Sequence, residues 1–162
     1  MKKVKYLICT AILLGAMACV NFEDNDTEIV YLEELRNTLW QNEDIVNKVF
    51  YNIAYSDVED SETAGWYNGE MTGYDSIERV NKIDTLTRNF IYNFTPATDK
   101  NRAIVRTKFS DGINYDGYVI PKGNIQMGEK EVYIIQLFEV DDKGEILLDN
   151  GKYKSTLLMW KE

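Results

Sequence analysis

Residues 84–95 read DTLTRNFIYNFT, and their alternation decides the fold class. Leu86, Phe90, Tyr92 and Phe94 fall on one side of an extended chain, with Thr85, Thr87, Asn89 and Asn93 on the other. Successive side chains of a strand point to opposite faces, so this period of two marks a half-buried β-strand. One polar face asks for an antiparallel sheet, because parallel sheets are buried on both faces.

The same alternation recurs on either side. NKVFYNIAY (47–55) sets Val49, Tyr51, Ile53 and Tyr55 against Phe50, Asn52 and Ala54. NRAIVRTKF (101–109), YDGYVIP (115–121) and KYKSTLLMW (152–160) are further strands, and EVYIIQLFEV (131–140) is the most apolar and therefore central. Ser110-Asp111-Gly112, Asp116-Gly117, Lys143-Gly144 and Asp149-Asn150-Gly151 supply the turn residues that tight hairpins need. Residues 56–65, SDVEDSETAG, read as a long polar loop. Residues 66–76 fit a short strand broken by glycines, and SIERVNKI (76–83) fits one more strand or a helical turn. In TEIVYLEELRNTLW (27–40), Ile29, Leu32 and Leu35 recur at helical spacing behind a cap at Asp26 or Thr27. They predict a short helix at about 28–36, running into a strand at Leu39-Trp40. The sum is an all-β domain over 29–162 of about eight strands, read as an antiparallel up-and-down β-barrel, with a β-sandwich as the alternative.

The first residues have a different character. Lys2, Lys3 and Lys5 precede an uncharged apolar run, Leu7 to Ala18, that ends in Ala16-Met17-Ala18. A basic start, a short apolar stretch and small residues at the cut describe a signal peptide over 1–18. The run is too short for a membrane span of about 20 residues. The chain carries 18 basic and 27 acidic residues, a net charge of −9. Cleavage would remove three lysines and no acid, leaving 15 against 27, or −12. That charge argues against nucleic acid as a partner, since phosphate recognition needs a cationic surface. Of two cysteines, Cys9 would be discarded, so Cys19 has no partner for an internal disulfide.

The chain has no histidine. That removes His-based triads, imidazole general bases and histidine metal sites. No nucleophile elbow, P-loop or dinucleotide-binding glycine pattern occurs. Asp57, Glu59, Asp60 and Glu62, and likewise Asp141, Asp142 and Glu145, are acids close in sequence, but neither set follows a calcium-loop pattern. The expectation is a protein without catalytic residues, metal or cofactor. Aromatics are abundant, and Trp66, Tyr67 and Tyr74 beside the polar loop are the candidate ligand-binding rim.

Cys19 directly after the small-residue site resembles the lipobox of bacterial lipoproteins, although Ala16 and Met17 depart from its usual residues. The resemblance implies a lipid anchor on Cys19. Glu23, Asp24, Asp26 and Glu28, within a tether over 19–28, resemble the acidic export signal of Bacteroides-type surface lipoproteins. Thr38-Leu39-Trp40 resembles the G-x-W that opens lipocalin barrels, with Thr38 in place of Gly. The chain therefore resembles lipocalin-like (calycin-type) lipoproteins of those bacteria. This implies an outer-membrane, lipid-anchored and surface-exposed location, with Trp40 closing one barrel end beneath a basic residue such as Arg36 or Lys161. It also implies a binding or interaction module for a small apolar or glycan ligand, or a protein partner at the cell surface. A ligand-free structural accessory of an outer-membrane complex, or a carboxylate-dependent hydrolase, are the alternatives.

Overall fold

A computed structural model describes residues 30–122, 126–127 and 130–161 of the chain. The expected signal peptide, Cys19 and the expected acidic tether lie outside these residues. Twelve strands follow in order: β1 (Thr38–Asp44), β2 (Val49–Glu59), β3 (Tyr67–Asp75), β4 (Lys82–Thr95), β5 (Ile104–Phe109) and β6 (Asn114–Ile120). Then come β7 (Gln126–Met127), β8 (Lys130–Glu131), β9 (Tyr133–Val140), β10 (Leu148–Asp149), β11 (Lys152–Tyr153) and β12 (Thr156–Lys161). Eight of them close a barrel in the order β1-β2-β3-β4-β5-β6-β9-β12. Every barrel neighbour is antiparallel, and the short pairs β7-β8 and β10-β11 are excursions between barrel strands. The protein is thus an up-and-down barrel and not a sandwich.

Closure is uneven. β1 and β2 register over seven residue pairs and β12 and β9 over six, whereas β1 meets β12 at Gln41 and Trp160 alone. Beside that seam the Asn42 side-chain amide donates to the Leu158 carbonyl at 2.8 Å, standing in for a backbone bond.

An eight-stranded barrel is just wide enough for side chains to fill it. Here aromatic rings fill it. Tyr55 meets Tyr92 edge to face at 4.8 Å between centroids and Phe90 at 5.4 Å. Phe90 continues to Phe109 at 5.2 Å, and Phe109 to Tyr115 at 5.7 Å. Trp40, Ile53, Val105, Ile135, Leu137 and Met159 pack round this column. A buried ring removes about 150–250 Å² from water, which at about 25 cal/mol per Å² amounts to about 4–6 kcal/mol gross. The edge-to-face geometry adds only about 0.5–1.5 kcal/mol per pair, so burial dominates. Gly69 is needed beside the column, because a Cβ there would collide with the Phe90 ring. Burial pushes the Tyr55 and Tyr92 phenols far up, so both stay neutral. Their hydroxyls donate to the Met159 sulfur and the Ser56 carbonyl.

Both barrel ends are covered. At the upper end, Arg88 shares the inward face with Phe90, and its guanidinium lies 3.8 Å from the Phe109 centroid, paired to Asp111 at 2.8 Å. There the β9–β12 connection folds back: Ile146 bridges Val140, and Lys154 pairs with the buried Glu139. At the lower end, residues 30–37 cross beneath the barrel. Val30 exchanges backbone bonds with Lys122, and Leu32 and Leu35 drop into the core.

That crossing segment corrects the helix expected at 28–36: its described part, from Val30 on, is not helical. The spacing of Leu32 and Leu35 reflects two anchors of an irregular strap. Its amides are claimed elsewhere: Val30 by Lys122, and Leu35 and Arg36 by the Glu34 carboxylate at 2.9 and 3.0 Å. Asn37 then takes a left-handed conformation, φ 57°, which ends the strap before β1. Two boundaries also move. β2 runs on to Glu59 through a register shift, leaving a shorter loop than 56–65, and the expected strand at 152–160 divides into β11 and β12.

Trp40 is fully buried at the lower end. Its indole N–H donates to the Thr38 hydroxyl at 2.8 Å, and that hydroxyl donates to the Leu35 carbonyl. Thr38 is therefore the relay that satisfies Trp40 and ties β1 to the strap. Of the two basic residues considered for Trp40, Arg36 lies over Tyr67 instead, 5.1 Å from its centroid. Lys161 ends β12 opposite Tyr133. Thr38→Ala leaves a buried indole N–H without an acceptor, a cost of about 1–3 kcal/mol. Thermal unfolding of the variant should show a lowered Tm; an unchanged Tm would remove the relay from the account.

Candidate functional site on the outer wall

Alternation along β5 sends Val105, Thr107 and Phe109 inward and leaves Arg106 and Lys108 on the outer wall. On β6, Tyr115 and Val119 point inward and Asn114 and Asp116 outward. Register places Arg106 opposite Asp116 and Lys108 opposite Asn114. The tight turn after β9 brings Asp141, Asp142, Lys143 and Gly144 alongside. Trp66, at the end of the β2–β3 connection, completes a groove of about 400 Å³.

The groove is held from behind. The Asp60 amide donates to the Trp66 carbonyl and the Trp66 amide to the Thr63 carbonyl, at 2.7 and 3.1 Å. Gly65 is gripped on both sides, its amide by Glu59 and its carbonyl by Asn93. Asp141 accepts from the amides of Lys143 and Glu145 at 2.8 and 2.9 Å, which fixes the opposite wall. Trp66 is half-buried, with the Lys108 ammonium 4.5 Å from its ring centroid, a cation–π contact.

Charges in the groove alternate in sign. Arg106 Nε lies 3.6 Å from Asp116 Oδ2. Burial raises the Asp116 pKa above the ordinary aspartate value, and Arg106 and Lys108 oppose that rise only in part. An exposed ion pair contributes about 0–1 kcal/mol to stability. The core therefore does not require these side chains, and their placement is free to serve recognition. A ring flanked by alternating donors and acceptors can stack on a flat, weakly polar face while hydrogen-bonding its edge.

The three expected rim residues do not share one site. Trp66 lies on the outer wall. Tyr67 faces inward beneath Arg36, 5.9 Å from the Tyr92 ring, in a lower-end niche of about 140 Å³ shared with Glu33, Glu34, Phe94 and Pro96. The Arg36 guanidinium and two backbone amides hold the Glu34 carboxyl there at about 2, well below the usual range. Tyr74 sits at the other end of β3, paired with Phe50 and Lys82. Arg106, Lys108 and Asn114 escaped the sequence reading although their outward register was a usable signal, and Asp116-Gly117, expected as a turn, lies within β6, paired on both sides. Among the described residues no three acidic side chains converge as metal ligands. Glu59 and Asp60, from the first acidic run, accept backbone amides of their own loop.

Comparison with known proteins yields no relative: no protein-family model, curated protein or solved structure matches this chain. The fold defines its class as an eight-stranded antiparallel up-and-down barrel.

Proposed function

We propose that the protein is a non-catalytic, lipocalin-like binding module that takes a glycan on its outer wall. In this reading Cys19 carries the lipid anchor, and the acidic tether holds the barrel off the outer membrane at the cell surface. One observation carries the ligand class: Trp66 stands in a preformed groove with Arg106, Lys108, Asn114 and Asp116 within reach of a sugar's hydroxyls. The ring column along the barrel axis argues against a small apolar ligand held inside, as in an open calyx. It equally suits a structural accessory without ligand. A hydrolase reading draws on the same groove, where Asp116 holds its proton more tightly than usual and Asp142 lies nearby.

Titration with a panel of neutral oligosaccharides, followed by NMR of the Trp66 indole N–H, tests the reading. Saturable shifts at the Trp66 indole N–H and at the backbone amides of Lys108 and Asn114 are expected, the amide shifts being lost in Trp66→Ala with Tm unchanged. No shift with any sugar would favour the ligand-free accessory, and release of new reducing ends would favour the hydrolase.

A further inference from the structure

A second hollow adjoins the Trp66 groove on the same wall. Cross-strand register aligns Asn68 with Ile91, Ile91 with Lys108, and Lys108 with Asn114. These side chains make one row across the outside of β3, β4, β5 and β6. The groove takes the β6 end of the row. The β3 end borders a hollow of about 270 Å³, lined by Asn68, Asn89, Ile91, Lys108 and Ser110, with Phe90 and Phe109. Lys108 belongs to both.

Bonds made elsewhere fix the shape of the hollow. The Asn68 carboxamide donates to the Val58 carbonyl at 3.0 Å, which orients it and leaves its oxygen as an acceptor. The Ser110 amide donates to the Asn89 carbonyl at 2.9 Å and sets the β4–β5 turn. Arg88 grips the same turn through Asp111 at 2.8 Å. Asn89 and Ser110 are exposed and Ile91 is half-buried, and none of the three belongs to the core. Two carboxamides and a hydroxyl beside an aliphatic surface match the two sides of a sugar: its hydroxyls take the polar groups, and its C–H face takes the isoleucine. Apart from Lys108, no lining side chain is charged, which suits a neutral ligand.

We propose that this hollow is a second subsite of the Trp66 groove, so that the ligand is an oligosaccharide bent round the barrel wall and not a single sugar. The inference rests on the glycan reading of the groove. From β3 to β6 is three strand steps of about 4.8 Å, or about 14 Å in all, more than one sugar ring spans. The outer surface of a closed eight-stranded barrel is convex, so a chain that touches both hollows curves with it. An α-1,4-linked glucan curves in this way, whereas a β-1,4-linked glucan runs straight. Trp66 stacks on one unit. Lys108, with three N–H donors, serves the units on either side of it. Asn68 and Asn89 take the hydroxyls of the far unit.

Calorimetric titration of the full chain with maltose, maltopentaose, cellobiose and cellopentaose tests the subsite. Maltopentaose should bind more than about tenfold tighter than maltose, and cellopentaose no tighter than cellobiose. Asn89→Ala and, separately, Asn89→Trp, which fills the hollow, should each bring the maltopentaose-to-maltose ratio to within about twofold, with Tm unchanged. Trp66→Ala should abolish binding of both. Equal affinity for maltose and maltopentaose, an advantage that survives both Asn89 variants, or an equal advantage in the cellulose series overturns the second subsite and leaves the groove as a sugar site. Absence of binding by all four sugars overturns it as well, and the Trp66 indole signal with the wider panel then shows whether the groove reading falls with it.

Discussion

Tyr55, Phe90 and Tyr92 meet on the barrel axis, and the rest of the molecule depends on that contact. Three rings from two non-adjacent strands satisfy one another only if β2, β3 and β4 curl tightly, which Gly69 permits by leaving room for Phe90. Curling brings β12 back to β1. The chain then lies in a closed sheet whose inner surface is committed to packing. A loss of one ring from such a core costs about 3–5 kcal/mol, a large part of the whole stability of a domain this size. The interior therefore has little freedom to evolve or to move.

That commitment moves recognition outward. On each strand every second residue points away from the rings, and the outer wall is where polar chemistry varies without disturbing the core. The Trp66 groove uses this freedom. It sets a ring among alternating charges on strands and a braced loop. Its loop and turn backbone is braced by main-chain and Asx-type bonds, while Arg106 and Lys108 are long side chains that order on binding. The covered ends have the same logic: the Thr38–Trp40 relay below and the Arg88–Asp111 pair above seal the column from water.

How much of this was legible depends on which force sets each feature. Strand positions were plain in DTLTRNFIYNFT and EVYIIQLFEV, because alternation follows from burial on one face. The barrel was preferred to the sandwich and the structure bears that out, although strand pattern alone does not carry the choice, because closure depends on which rings meet across non-neighbouring strands. The helix at 28–36 was misread because Leu32 and Leu35 are spaced as a helix would space them, while Lys122 and Glu34 take the backbone donors that a helix needs. Trp66 was visible as a ring beside a loop. Its companions Arg106, Lys108, Asn114 and Asp116 were hidden, since only the β5–β6 register puts them beside it. Tyr67 and Tyr74 looked like its neighbours through closeness in sequence, yet a strand nine residues long carries them to opposite ends.

The central claim is that the rings leave no room for a ligand inside the barrel, so binding is external. Titration with a fluorescent fatty acid, with NMR of the methyl groups of Ile53, Val105, Ile135 and Met159, tests it most directly. The account predicts no saturable fluorescence change and no shift at these inward methyls. Saturable binding that shifts them together would show an accommodating interior and contradict it.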